Sequence, residues 1–142
     1  MVYPDAPAGP ADEPTKGDIQ DFWKTVYKTA YTEHDSGLTR ESLLEAIDQL
    51  EDMFRFREHM ATVEMDLSAL AGLNILEVGS GAGGHSAMFA RNGARMTSCD
   101  ITVERAAETR RKFDLLDDLA IGCTAMQADA ENLPFPDGHF DI

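Results

Sequence analysis

Leu73-Asn74-Ile75-Leu76-Glu77-Val78-Gly79-Ser80-Gly81-Ala82-Gly83-Gly84 is the stretch on which the fold turns. Its first six residues, Leu73 to Val78, make a short strand-like run, and the run ends in a loop of glycine and small residues. His85 to Arg91 then has helical character and meets a stop at Asn92-Gly93. Strand, glycine loop and helix in that order let bare backbone approach whatever binds at the strand's end. A nucleotide-type cofactor requires such an approach.

Downstream, Ala94 to Cys99 predicts a second strand that closes in Asp100. Val103 to Phe113 predicts a helix capped by Thr102, and Thr124 to Ala128 a third strand. Such alternation implies an α/β fold with a parallel sheet, right-handed crossovers and a ligand site beyond the carboxyl ends of the strands. Pro134, Pro136 and Gly138 enforce a turn before a fourth strand begins at Phe140. No turn or cap follows Ile142, so the domain is expected to be truncated at the start of that strand.

Upstream, Pro4, Pro7, Pro10 and Pro14 among Ala, Gly and Asp predict a disordered lead-in over residues 1–17. From Asp18, placed to cap a helix, Ile19, Phe22, Trp23, Val26 and Tyr27 recur at helical spacing. Gly37 breaks the pattern and Thr39 caps a second helix, with Leu43, Leu44, Ile47, Leu50, Met53 and Phe54 on its apolar face. The helices of residues 18–66 are expected to cap the ligand cleft, and residues 67–142 to form the cofactor-binding part.

Twenty-six acidic against twelve basic side chains give a net charge of −14. That charge repels a phosphate backbone and an anionic membrane surface, so neither nucleic acid nor membrane is an expected partner. No apolar run approaches the ~20 residues that span a bilayer, and no secretory signal opens the chain. Cys99 and Cys123 have neither the spacing of a metal site nor that of a disulfide scaffold. A cytoplasmic protein without a metal centre is expected.

The glycine spacing fits both G-x-G-x-x-G and acidic-x-G-x-G-x-G, and Glu77 separates the two patterns. Beside a pyrophosphate its carboxylate is unfavourable, whereas beside the ammonium of a methionine moiety it is favourable. The acid therefore points to S-adenosylmethionine rather than NAD. Asp100 stands about twenty residues beyond the first glycine, where an acid takes ribose hydroxyls. The alternative for Asp100 is an ordinary helix-capping aspartate. Ile101 supplies an apolar surface for one face of the adenine.

Three blocks, Leu76-Glu77-Val78-Gly79-Ser80-Gly81-Ala82-Gly83, then Asp100-Ile101, then Asp129-Ala130-Glu131-Asn132-Leu133-Pro134-Phe135-Pro136-Asp137-Gly138-His139-Phe140-Asp141, closely resemble class I methyltransferases of the type-11 group. The resemblance covers about residues 70 to 142 and implies a Rossmann-like three-layer sandwich with its first strands ordered 3-2-1. It also implies S-adenosylmethionine as cofactor, bound by Glu77, Gly79, Ser80, Gly81, Gly83, Asp100 and Ile101. Asp129 would accept from the adenine amino group and the Ala130 backbone would read the ring edge; a local turn is the alternative for Asp129.

The expected function is methyl transfer to a small-molecule acceptor. No catalytic residue is singled out, because a sulfonium methyl needs alignment more than acid or base. His85 and His139 are expected to have no chemical part. Two alternatives stand beside this reading: an NAD-dependent oxidoreductase, and a non-catalytic truncated domain. With no fourth strand beside it, the first strand is expected to expose an edge through which copies of the chain associate.

Overall fold

The computed structural model describes residues 13–31, 37–56 and 66–142. The chain divides into two compact units, residues 1–37 and residues 38–142. In the first, helix α1 spans Lys16–Tyr31 and begins ahead of the expected Asp18. The cap is Thr15, whose hydroxyl accepts the Asp18 N–H at 3.2 Å while the Asp18 carboxylate takes the Thr15 N–H at 2.9 Å. This reciprocal capping box draws Lys16 and Gly17 into the helix, so the expected lead-in does not extend to residue 17. The rest of that expectation, over residues 1–12, lies outside the described residues.

The second unit runs α2 (Arg40–Phe56), β1 (Asn74–Val78), α3 (Gly84–Arg91), β2 (Arg95–Asp100), α4 (Val103–Leu116) and β3 (Thr124–Gln127). Thr39 caps α2 as expected, its hydroxyl accepting the Ser42 N–H at 3.2 Å. The strands form a parallel sheet with β2 in the middle, the expected 3-2-1 order. Along the outer edge of β1, the Asp141 and Ile142 N–H groups donate to Asn74 O, and the Leu76 N–H donates to Ile142 O at 3.0 Å. Ile142 thereby bridges the residues on either side of Ile75 in the pattern of a parallel pair. The expected fourth strand is not formed as a strand of this three-stranded sheet, but Asp141 and Ile142 cover part of the β1 edge expected to be bare.

Register sets Ile75 beside Met96, Glu77 beside Ser98, and Ser98 beside Ala125. That face carries the core, in which Ile75, Met96 and Ala125 pack with Met88 and Phe89 of α3 and with Phe113 and Leu116 of α4. Strand alternation turns Leu76, Val78, Thr97 and Met126 to the opposite face, where Val78 is 46% exposed. Within residues 38–142 helices cover one face, so two of the three expected layers are described. Right-handed crossovers that step in one direction from β1 through β2 to β3 put α3 and α4 on the same side.

Helix α2 adds Leu43 and Ile47 to this core. Its polar contacts fall at the carboxyl ends of the other helices. Arg40 donates to Leu116 O at 2.9 Å, Arg91 pairs with Asp48 at 2.5 Å and with Glu51 at 2.6 Å, and the Asn92 amide donates to Glu51 at 2.8 Å. Because α3 and α4 start at the carboxyl edge of the sheet and run back, these ends lie away from the glycine loop. The expected capping of the cleft therefore does not hold for α2; its Leu43 and Ile47 are taken into the core of α3 and α4, with Leu44 and Leu50 packed against it.

Candidate functional site

Strands β1 and β2 end side by side, Val78 against Cys99. The Cys99 carbonyl receives the Gly79 N–H at 2.8 Å and the Ser80 N–H at 2.9 Å, which ties the glycine loop to the neighbouring strand. The Gly83 N–H then closes a turn on Ser80 O at 3.0 Å. Gly83 caps α3 in the left-handed region, at φ 82°. A Cβ there would stand 2.6 to 2.9 Å from Thr109, its Cα included, so α3 and α4 meet backbone to backbone at this point. At Gly79, φ 76°, a Cβ would meet nothing within 4 Å. The loop is thus packed on its inner side and opens onto space at the strand end, as a site for a nucleotide-like ligand requires.

Ser80 is buried, with its hydroxyl 3.3 Å from Thr109 Oγ1, so its side chain turns toward α4. Asp100, at 7% exposed, closes the site from β2. Its Oδ2 accepts the Gly81 N–H at 2.9 Å, and its Oδ1 accepts the Thr102 N–H and hydroxyl, each at 3.0 Å. A carboxylate offers about four acceptor positions, so about one remains for a ligand hydroxyl. Asp100 does not cap the helix, as the alternative for it had it; its bonds tie the loop to the corner at Thr102, and accepting both ribose hydroxyls requires one of them to yield. Thr102 gives its hydroxyl to Asp100 instead of capping α4; only its carbonyl serves the helix, accepting the Ala106 N–H at 3.2 Å.

Glu77 reaches the core-facing side of the sheet, where the Ser86 hydroxyl donates to its Oε2. The Ser98 hydroxyl donates to Ser86 Oγ at 2.8 Å and lies 3.5 Å from the same carboxylate oxygen. Burial pushes the Glu77 carboxyl above the usual range; the Ser86 hydrogen bond, the nearby His85 and Ser98 pull it down, and Asp100 adds to the rise. Motif reading missed Ser86 and Ser98. The signal that finds them is a hydroxyl at a core position, ahead of Ala87-Met88-Phe89-Ala90 in α3 and of Cys99 in β2.

The Ala128 N–H donates to Asp100 O at 2.9 Å and brings Asp129 to the same edge of the sheet. Asp129 Oδ1 accepts the Glu131 N–H at 3.0 Å and its carbonyl accepts the Asn132 N–H at 2.9 Å, so the local-turn alternative is formed, with Ala130 exposed in the turn. Ile101 is half-buried, and its carbonyl accepts from the Gln127 amide at 2.9 Å. His139 stacks on Phe135 with ring centroids 6.2 Å apart. Among the described residues, no group of three or more His, Cys, Asp or Glu side chains is arranged to hold a metal ion.

Residues 75–142 match the family described as "Methyltransferase domain". Demethylmenaquinone methyltransferase of Beutenbergia cavernae is 37% identical over 75 residues, covering 53% of this chain and 28% of that protein. The ubiquinone/menaquinone biosynthesis C-methyltransferase of Shewanella halifaxensis is 32% identical over 127 residues, covering 82% of this chain and 49% of that protein. The chain spans less than half the length of either relative. The crystal structure of magnesium protoporphyrin IX methyltransferase from Synechocystis PCC 6803 with bound SAH shares the fold at a TM-score of 0.51 and 18% identity, over 84% of this chain and 53% of that one. The sequence match and the shared fold agree: residues 75–142 resemble part of a methyltransferase domain.

Proposed function

We propose that this chain binds S-adenosylmethionine at the carboxyl edge of its sheet and serves methyl transfer to a small-molecule acceptor. The observation that carries the reading is the largely buried Glu77 carboxylate just ahead of the glycine loop. An ammonium group is the partner that offsets its burial. The loop itself argues against a dinucleotide. Its Gly79, Ser80, Gly81 and Gly83 N–H groups are bonded within the protein, to Cys99, Asp100 and Ser80, whereas a pyrophosphate calls for such donors. The relatives reported above are all methyltransferases.

In this reading Glu77 takes the ammonium, and the backbone from Gly79 to Gly83 lets the ligand approach closely. Asp100 takes a ribose hydroxyl, Ile101 packs on the adenine, and Asp129 with the Ala130 backbone meets the ring edge. The bound cofactor supplies an activated methyl carbon; the protein's own part is alignment and exclusion of water. Since two relatives are named for menaquinone methylation, a demethylmenaquinone-type ring is the first acceptor to test. The acidic charge of −14 supports an acceptor that is neither nucleic acid nor membrane surface. Two free cysteines support a reducing, cytoplasmic setting. The stretch of the β1 edge beyond Leu76, with Val78 exposed, is the proposed route of self-association.

Calorimetric titration of S-adenosylhomocysteine, with NADH as control and Glu77→Gln as the specificity check, tests the reading. Binding of the homocysteine ligand that Glu77→Gln abolishes supports it. Binding of NADH, or of neither ligand, rejects it.

A further inference from the structure

We infer that Ser98 and Ser86 form a buried hydroxyl chain that positions the Glu77 carboxylate for a cationic group at the glycine loop, which makes both serines positioning residues of the cofactor site. The inference rests on the methyltransferase reading above and deepens it, since it names what prepares the ammonium partner.

The chain has a direction. Ser98 donates to Ser86 Oγ at 2.8 Å, and Ser86 donates to Glu77 Oε2. Each hydroxyl has one proton to give, so the sequence ends at the carboxylate, the one group in it that only accepts when ionised. Both serines are 0% exposed. They come from different elements, α3 and β2, so the orientation of Glu77 is fixed by the packing of helix on sheet. An apolar core would take alanine at both positions without needing any hydrogen bond. Two buried hydroxyls are tolerated where they are bonded, and here their bonds converge on Glu77.

Both contacts fall on Oε2, and Oε1 accepts no hydrogen bond from any described residue. One oxygen is therefore held from the core side and the other is left for a ligand N–H. Burial favours the neutral acid and is the larger influence, while hydroxyl donation favours the carboxylate, so the chain offsets part of what burial costs the anion. The titratable groups that act on it are His85 from α3, which favours the anion, and Asp100 from β2, which opposes it.

The test compares two ligands across the acid-to-neutral pH range. S-adenosylhomocysteine carries the ammonium; 5′-methylthioadenosine shares its adenosine and sulfur but lacks the amino-acid part. Both are titrated calorimetrically into the wild-type protein and into Ser86→Ala and Ser98→Ala. Ser86→Cys keeps the side-chain volume with a weak donor and carries the same comparison should an alanine variant lose its fold. Each variant is expected to weaken S-adenosylhomocysteine about tenfold or more and to leave methylthioadenosine within about twofold. The acid limb of the S-adenosylhomocysteine profile is expected to move to higher pH. Equal losses for the two ligands, or no loss for S-adenosylhomocysteine, overturn the positioning role while the methyltransferase reading stands. A wild-type protein that binds neither ligand overturns that reading and this inference with it.

Discussion

Asp100 Oδ2 accepts the Gly81 N–H at 2.9 Å across 19 residues of chain, so the acid that closes β2 also holds the middle of the glycine loop. The other oxygen secures the Thr102 corner where α4 begins. An acid expected to serve a ligand is thus a structural clasp in the protein by itself.

Asp100→Ala should therefore destabilise the fold as well as weaken cofactor binding. It leaves the Gly81 and Thr102 donors unanswered in a buried place, at a cost of about 2 to 3 kcal/mol. Thermal unfolding of the ligand-free variant checks this. An unchanged melting temperature would mean that the clasp contributes nothing and that Asp100 serves ligand alone.

Gly83 and Gly84 are adjacent but should respond differently to alanine. Gly83→Ala has to hold φ 82° and drive a Cβ into the Thr109 backbone, whereas a Cβ at Gly84 meets nothing within 4 Å. The first is expected to cost about 3 kcal/mol or more, the second to stay within about 1 kcal/mol of wild type. Equilibrium denaturation of the two variants separates them, and comparable losses would contradict the close approach of α3 to α4.

The contrast explains what was legible in the sequence. The β1, glycine loop and α3 run could be read directly because its backbone demands glycine at fixed spacing. The Asn92-Gly93 stop is equally local: the Gly93 N–H bonds to Ala90 O at 2.9 Å and the Ala94 N–H to Phe89 O at 3.2 Å, a Schellman motif. The start of α1 was misplaced because Thr15 and Asp18 cap reciprocally and either residue type could lead. The position of α2 was not legible at all. An amphipathic stripe says that a face is buried, not which element covers it, and Leu43 and Ile47 pack with the core of α3 and α4 at the ends remote from the loop. Ser86 and Ser98 were overlooked for a related reason: a motif fixes chain-local geometry, while their partner Glu77 is brought to them by packing.

The anchoring of α2 yields a further pair. Glu51 is 8% exposed and accepts from Asn92 at 2.8 Å while pairing with Arg91 at 2.6 Å. Asp48 meets the same Arg91 at 2.5 Å, but its side chain is 68% exposed. Glu51→Ala should cost about 2 kcal/mol because it removes the buried acceptor that Arg91 and Asn92 share at the helix interface. Asp48→Ala should fall within about 0.5 kcal/mol, as exposed ion pairs do. Chemical denaturation of both variants decides, and equal effects would show that burial does not discriminate between the two acids.

Glu77 should make the ligand-free protein less stable than it could be, in a pH-dependent way. Burial raises its carboxyl above the value it has in the unfolded chain. Between those two values the folded state holds the proton that the unfolded state has released, so stability falls as pH rises through that window. Below the window, both states are protonated and the penalty disappears; above it, the penalty is complete. Glu77→Gln keeps the shape and the acceptor for Ser86 without the buried charge. It is expected to raise the melting temperature at neutral pH, to lose that advantage in acid below the unfolded carboxyl's range, and to abolish binding of S-adenosylhomocysteine. Melting curves of the two proteins over pH, taken with and without ligand, measure all three effects. A variant that melts lower than wild type at neutral pH would mean that the carboxylate is held by more than its serines, and that its burial is not what the ligand relieves.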